Sequence, residues 1–224
     1  MADNLNGIIN INGDSVQALE ILLLTTMITL LPSLVIMCSS FTRYVITLSF
    51  LRNAMGTQQT PPNMVLVGVA LFLTLFTMGP VIDQVNQQAY TPYVEEQITQ
   101  DEFFDRAQVP LKEFMLRNTE PSALNMYCDF AGLDRPDTEE QSVELPLRVV
   151  TPAFITTELK RAFQIGFYLY VPFLLIDIIV ASTLMSMGMV MLPPSMISTP
   201  FKLLLFISIN GWELVFSTLI RTFN

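Results

Sequence analysis

Asp177 and Lys202 are the residues best placed to do chemistry, because each sits where a charge is costly. The run VPFLLIDIIVAS holds Asp177 in the middle of an apolar stretch, and TPFKLLLFISIN puts Lys202 near the start of another. Ionisable side chains in such surroundings face protein or a cavity and take a partner. If the two stretches form a helical hairpin turning near residue 187, Asp177 lies ~15 Å and Lys202 ~10 Å from the turn at 1.5 Å per residue. The two are roughly level, which predicts that they pair, within one subunit or between neighbours. The alternative is a snorkelling Lys202 beside a protonated Asp177. Enzymatic chemistry has little else to draw on. With no His, imidazole metal sites and His-based triads are excluded. An intramembrane aspartyl protease needs two central acids, whereas Asp83 stands at the end of its stretch. No GxSxG or phosphate-binding glycine loop occurs, and no cofactor, metal or nucleic-acid site is expected. Cys38 and Cys128 lie in an apolar and an acidic segment and have no ligand spacing.

A second pattern is MSMGMVM, which places Met185, Met187, Met189 and Met191 at every second position around Gly188. On a helix this period scatters side chains, whereas in an extended or looped backbone it gathers them on one face. Methionine is apolar, unbranched and deformable, so the pattern suits a soft hydrophobic surface. The bland reading is a flexible loop at a helix end.

These residues need elements to position them. Half of the 224 residues are hydrophobic and only 14% are charged, more apolar than a typical soluble domain. Apolar stretches cover roughly 16–41, 63–82, 162–187 and 198–220. Each approaches or exceeds the ~20 residues that cross a bilayer as a helix. They form two pairs, each linker ending in a proline pair, Pro61-Pro62 and Pro193-Pro194. Proline starts the helix that follows and ends what precedes, so both pairs read as helix, turn, helix. Gly166 and Pro172 interrupt the third stretch. Residues 83–150 form a polar insert with fourteen acids against five bases, a balance equal to the chain's whole net charge of −9. Phe104, Leu111, Met115 and Leu116 there have helical spacing, interrupted by Pro110. The insert is too short for a large core of its own and should rest on neighbouring helices. Arg43 and Arg52 in the first linker place that linker in the cytoplasm and the insert outside. With four crossings both termini lie outside and both proline turns inside. The start, MADNLNGIININGDSVQ, lacks the basic and apolar regions of a signal peptide. Either the natural protein has none or Met1 replaces a cleaved presequence.

The expected organisation is a polar segment 1–15, a first hydrophobic hairpin 16–82, the acidic helical insert 83–150 and a second hairpin 151–224. A stand-alone secondary transporter or ion channel would suit Asp177 and the broken helices, with few charges to form its substrate site.

Six motifs in this order carry a resemblance: LRNAMGTQQTPPN, LFLTLFTMGPVID, PLKEFMLRN, ELKRAFQIGFYLYVPFLLIDIIVAS, MGMVMLPP and PFKLLLF followed by GWELV. Over about residues 20–224 the chain resembles the FliP/SctR family of type III secretion export-gate subunits. PLKEFMLRN favours the flagellar branch over the injectisome branch. The resemblance implies a non-enzymatic, all-α membrane protein that assembles as a pentameric, pore-forming ring of identical copies. It implies FliQ- and FliR-like partners, FlhB- and FlhA-like export components, membrane lipid, and unfolded flagellar proteins as the cargo. It places the protein in the bacterial inner membrane at the flagellar basal body, with its hairpins stacked in a partly raised helical assembly. It makes the methionines a gasket around the pore, although relatives carry consecutive Met where this chain has Met189-Val190-Met191. It also makes Glu158, Asp177 and Lys202 contacts between subunits.

Overall fold

The computed structural model describes residues 9–11, 14–16, 18–136, 138–189 and 191–223. Apart from two three-residue strands, the elements are helices: β1 Ile9–Ile11, β2 Asp14–Val16, α1 Ala18–Met37, α2 Phe41–Met55, α3 Asn63–Val85, α4 Thr91–Val94, α5 Gln100–Arg117, α6 Pro121–Ala131, α7 Glu139–Glu144, α8 Leu147–Ser186, α9 Pro194–Ser208 and α10 Gly211–Arg221. A π-helical turn, Asn86–Tyr90, joins α3 to α4. The chain divides into two compact units after Met37.

In the first unit, β1 and β2 pair antiparallel with Ile9 opposite Val16. Helix α1 is 20 residues long, about 30 Å, the thickness of a hydrocarbon core. Thr25 and Ser33 donate to the carbonyls of Ile21 and Leu30 at 2.7 Å. These back-bonds satisfy hydroxyls in an otherwise apolar helix.

The second unit is organised around α2. Tyr44, Leu48, Leu51 and Met55 recur at helical spacing and are buried, and so are Arg43, Thr47 and Ala54. This overturns the reading of FTRYVITLSFLRNAMGTQQTPPN, residues 41–63, as a linker between two helices. An arginine pair and several hydroxyls made the stretch look solvated, but Arg43 has an acid waiting for it on α8. The sidedness argument that counted Arg43 as a loop charge loses that charge. Helix α3 returns antiparallel to α2, so that Tyr44 and Thr77 hydroxyls meet at 2.6 Å. Helix α8 runs beside α2 in the same direction, with Arg43 at Glu158 and Phe50 at Gly166. Leu66, Ala70, Phe173, Phe206, Val215 and Leu219 complete this core.

Neither Gly166 nor Pro172 breaks the third stretch. Helix α8 is continuous for 40 residues. A Cβ on Gly166 would lie 2.6 Å from the Phe50 ring, so the glycine is there for close packing. Pro110 likewise sits inside an unbroken α5. The fourth stretch is the one that bends: α9 and α10 meet at 65°, where Asn210 takes a left-handed φ of 51°.

The insert shares its core with the long helices. Phe114, Met115, Leu124, Cys128 and Leu145 pack with Met78 and Val81 of α3 and with Val149, Val150, Ala153 and Phe154 of α8. Its helices are locally well marked. Thr99 and Glu102 form a capping box at the start of α5, and Gly132, at φ 66°, ends α6, as such caps require.

Among the described residues, two helical segments are long and apolar enough to cross a membrane, Asn63–Val94 and Leu147–Ser186, and the bent α9–α10 pair makes a third if it is one span. The first extends beyond the expected boundary at residue 82 into the insert.

Candidate functional site

The methionines sit at the tip where α8 turns into α9. The helix closes with two bonds of a Schellman cap: Gly188 N–H donates to Met185 O at 3.1 Å and Met189 N–H to Leu184 O at 3.0 Å. Gly188 occupies the left-handed position at φ 76°, which glycine adopts without steric cost. Met185 is therefore in the last helical turn, while Met189 and Met191 lie beyond it. All four are open, with fractional exposures of 63% for Met185, 70% for Met187, 37% for Met189 and 98% for Met191. Leu192, Met196 and Ile197 add further exposed apolar surface. Pro194 begins α9 at its first turn after Pro193.

Below the tip, Asp177 and Lys202 meet within the chain. Lys202 Nζ donates to Asp177 Oδ2 at 2.6 Å and to Ala54 O, near the C-terminus of α2, at 3.1 Å. Ser198 Oγ donates to the other oxygen, Asp177 Oδ1, at 2.6 Å. One ammonium thus holds three helices, and a cation at the end of α2 suits that helix's dipole. Gly56 ends α2 at φ 74° and leaves only 3.1 Å between its missing Cβ and Thr199 Oγ1. Lys202 is enclosed, whereas the Asp177 side chain stays 41% exposed.

The two proline turns lie at one end of this unit. Pro61 O accepts from Arg52 Nη1 at 3.2 Å, one turn from the end of α2, and that same end is held by Lys202 midway along α9. Pro62 precedes the first residue of α3.

Glu158 sits elsewhere, about 19 residues before Asp177 on α8. It is fully buried with Arg43. Arg43 Nε donates to Glu158 Oε2 at 2.8 Å and Nη2 to Oε1. The remaining nitrogen, Nη1, donates to Thr222 O at 3.0 Å and Thr222 Oγ1 at 2.8 Å. The Phe223 ring covers the guanidinium, 3.6 Å from its carbon to the ring centroid. Sequence reasoning missed Arg43. The signal that could have found it is the apolar spacing that follows, Tyr44, Leu48, Leu51 and Met55, which makes residue 43 part of a helix.

Glu158, Asp177 and Lys202 therefore each have a partner inside one chain. The structure does not bring them together: the Arg43–Glu158 pair and the Asp177–Lys202 pair are separate centres joined by α8. Among the described residues, no group of three or more His, Cys, Asp or Glu could hold a metal ion. Two apolar hollows lie on the helix surfaces, about 410 Å³ between α8 and α9 beside Phe201, and about 350 Å³ between α3 and α10 beside Phe72.

Long apolar helices, paired internal charges and an exposed methionine tip define a helical membrane protein whose built features are packing and surface. A model of the FliP family matches residues 23–219, and the chain belongs to that family. It is 47% identical over 212 residues to the flagellar biosynthetic protein FliP of Aquifex aeolicus, covering 95% of this chain and 88% of that one. The protein of that name from Bacillus subtilis is 46% identical, with 92% of each chain covered. That from Caulobacter vibrioides is 45% identical over 96% of this chain and 82% of its own.

Proposed function

We propose that this protein is a non-enzymatic subunit of the flagellar type III protein export gate, required for flagellum assembly. Several copies form the pore through which unfolded flagellar proteins leave the cytoplasm. The observation that carries the reading is the methionine tip, presented at the turn from α8 to α9 and left open by its own chain. Four flexible apolar side chains per copy, repeated around a ring, close against water and ions and still deform around a passing chain. No covalent chemistry is needed.

In this reading the ring is a pentamer, joined by FliQ- and FliR-like subunits and approached by FlhB- and FlhA-like export components. It sits in the inner membrane at the basal body, with lipid around its outer helices. Residues 83–150 are extracytoplasmic, and the segments 1–15, 16–82 and 151–224 keep the roles of polar start, first helical block and gate-bearing block. Of the three charges assigned to subunit contacts, Asp177 is the one with an open side-chain face for a neighbouring copy. Lys202 supports that contact from within, while Glu158 is held at a separate centre by Arg43.

Native mass spectrometry of the detergent-purified protein, alone and co-expressed with FliQ- and FliR-like subunits, tests this directly. The expected result is a discrete homo-oligomer that recruits both partners. A stable monomer that ignores them would sink the gate reading and put a stand-alone transporter centred on Asp177 in front.

A further inference from the structure

Two separate hydrophobic cores share very little. One lies among α2, α3, α8, α9 and α10, and the other joins the insert to α3 and α8. Among the described residues, Phe223 alone packs against both. Its ring stacks on Phe114 of α5 at 5.9 Å between centroids and meets Tyr44 of α2 edge-on at 5.4 Å. It also covers the buried Arg43 guanidinium. The residue before it, Thr222, supplies both acceptors for Arg43 Nη1. Without Thr222, a charged donor with no access to water loses both of its acceptors, which is costly. Helix α10 offers few competing anchors, since Val215 and Leu219 are its buried large apolar side chains.

We infer that Thr222–Phe223 is a latch that closes over the Arg43–Glu158 pair and couples the acidic insert to the helical core. The bonds divide the work. Thr222 fixes the segment to the ion pair, and Phe223 passes the constraint to Phe114 and so to the insert. Releasing the latch should loosen the insert while leaving the long helices formed. Helices α3 and α8 run through both cores, and Glu120 and Tyr127 also bond to α8, so releasing the latch is a local opening within a frame that stays connected.

Cys128 reports on this. It lies in the insert core, fully buried, and Cys38→Ser leaves it the sole thiol. In the full-length protein in membranes, maleimide labelling of Cys128 should accelerate about fivefold or more in Phe223→Ala, consistent with loss of aromatic contacts. Phe223→Leu should fall between Phe223→Ala and the parent, and far-UV circular dichroism should show unchanged helix content. Phe76→Ala, on an exposed face of α3, should label at the parental rate. Parental labelling in both Phe223 variants would overturn the latch, as would acceleration that tracks a loss of total helix. If Phe223→Ala does not accumulate, the Phe223→Leu rate decides alone: faster than the parent supports the latch, equal overturns it.

Discussion

At the scale of single residues, the two ion pairs differ in what surrounds them, and that difference sets what their loss should cost. Arg43 and Glu158 are both fully buried. Glu158→Gln strands the arginine, and removal of one partner of such a pair costs on the order of 3–5 kcal/mol. Replacing both, as Arg43→Met with Glu158→Leu, should recover part of that loss in thermal unfolding followed by circular dichroism in detergent. If the double variant is as unstable as Glu158→Gln, the uncompensated charge is not the cause. Lys202→Met removes a half-open pair and one carbonyl contact, so the expected cost is smaller, about 1–2 kcal/mol. The Asp177–Lys202 pair was legible in the sequence because a hairpin turn and a constant helical rise fix which residues are level. The Arg43–Glu158 pair was not. Its members are 115 residues apart, and no periodicity relates α2 to α8.

At the scale of elements, α2 shows why charge misleads when read locally. FTRYVITLSFLRNAM has too many polar residues for a membrane crossing and too few for a loop, and it became a buried helix once a distant acid neutralised Arg43. The glycine on the facing helix gives a direct test. Gly166→Ala drives a methyl group into the Phe50 ring, with an expected loss of about 1–3 kcal/mol from overpacking. Phe50→Val should restore part of it. A null effect of Gly166→Ala on unfolding would mean the α2–α8 contact is looser than described. The insert, by contrast, is legible as helical from the spacing of Phe104, Leu111, Met115 and Leu116, and the structure adds its caps: Thr99 with Glu102 on α5, and Pro121 and Gly132 at the two ends of α6. Exposed charges there titrate with a defined sign. Two hydrogen bonds from Arg135 hold the Asp129 carboxyl below its usual range, and the Thr99 backbone N–H does the same for Glu102. A carboxyl depressed in the folded state adds stability above the ordinary value near ~4, and that contribution is lost as the pH falls through the lower folded value. Arg135→Gln should move the Asp129 titration back up towards the ordinary value in a carboxyl-detected NMR titration. An unchanged midpoint would remove Arg135 as the cause.

At the scale of the whole molecule, the chain reads as a rigid frame carrying a soft tip. The frame is α2, α3 and α8 closed by internal ion pairs, and the tip is Met185, Met187, Met189 and Met191 held by the Gly188 cap and the Lys202 junction. Composition announced the apolar helices and MSMGMVM announced the tip. The bend between α9 and α10 and the continuity of α8 through Pro172 were hidden, because proline and glycine mark breaks only when packing does not override them. The most direct test of the central claim is ion conductance of the reconstituted complex, formed with FliQ- and FliR-like subunits, when all four methionines are replaced by alanine. A gasket predicts that the parent complex is closed to small ions and that the quadruple variant leaks, with the ring still assembled by native mass spectrometry. A variant that stays as tight as the parent and exports normally would contradict it.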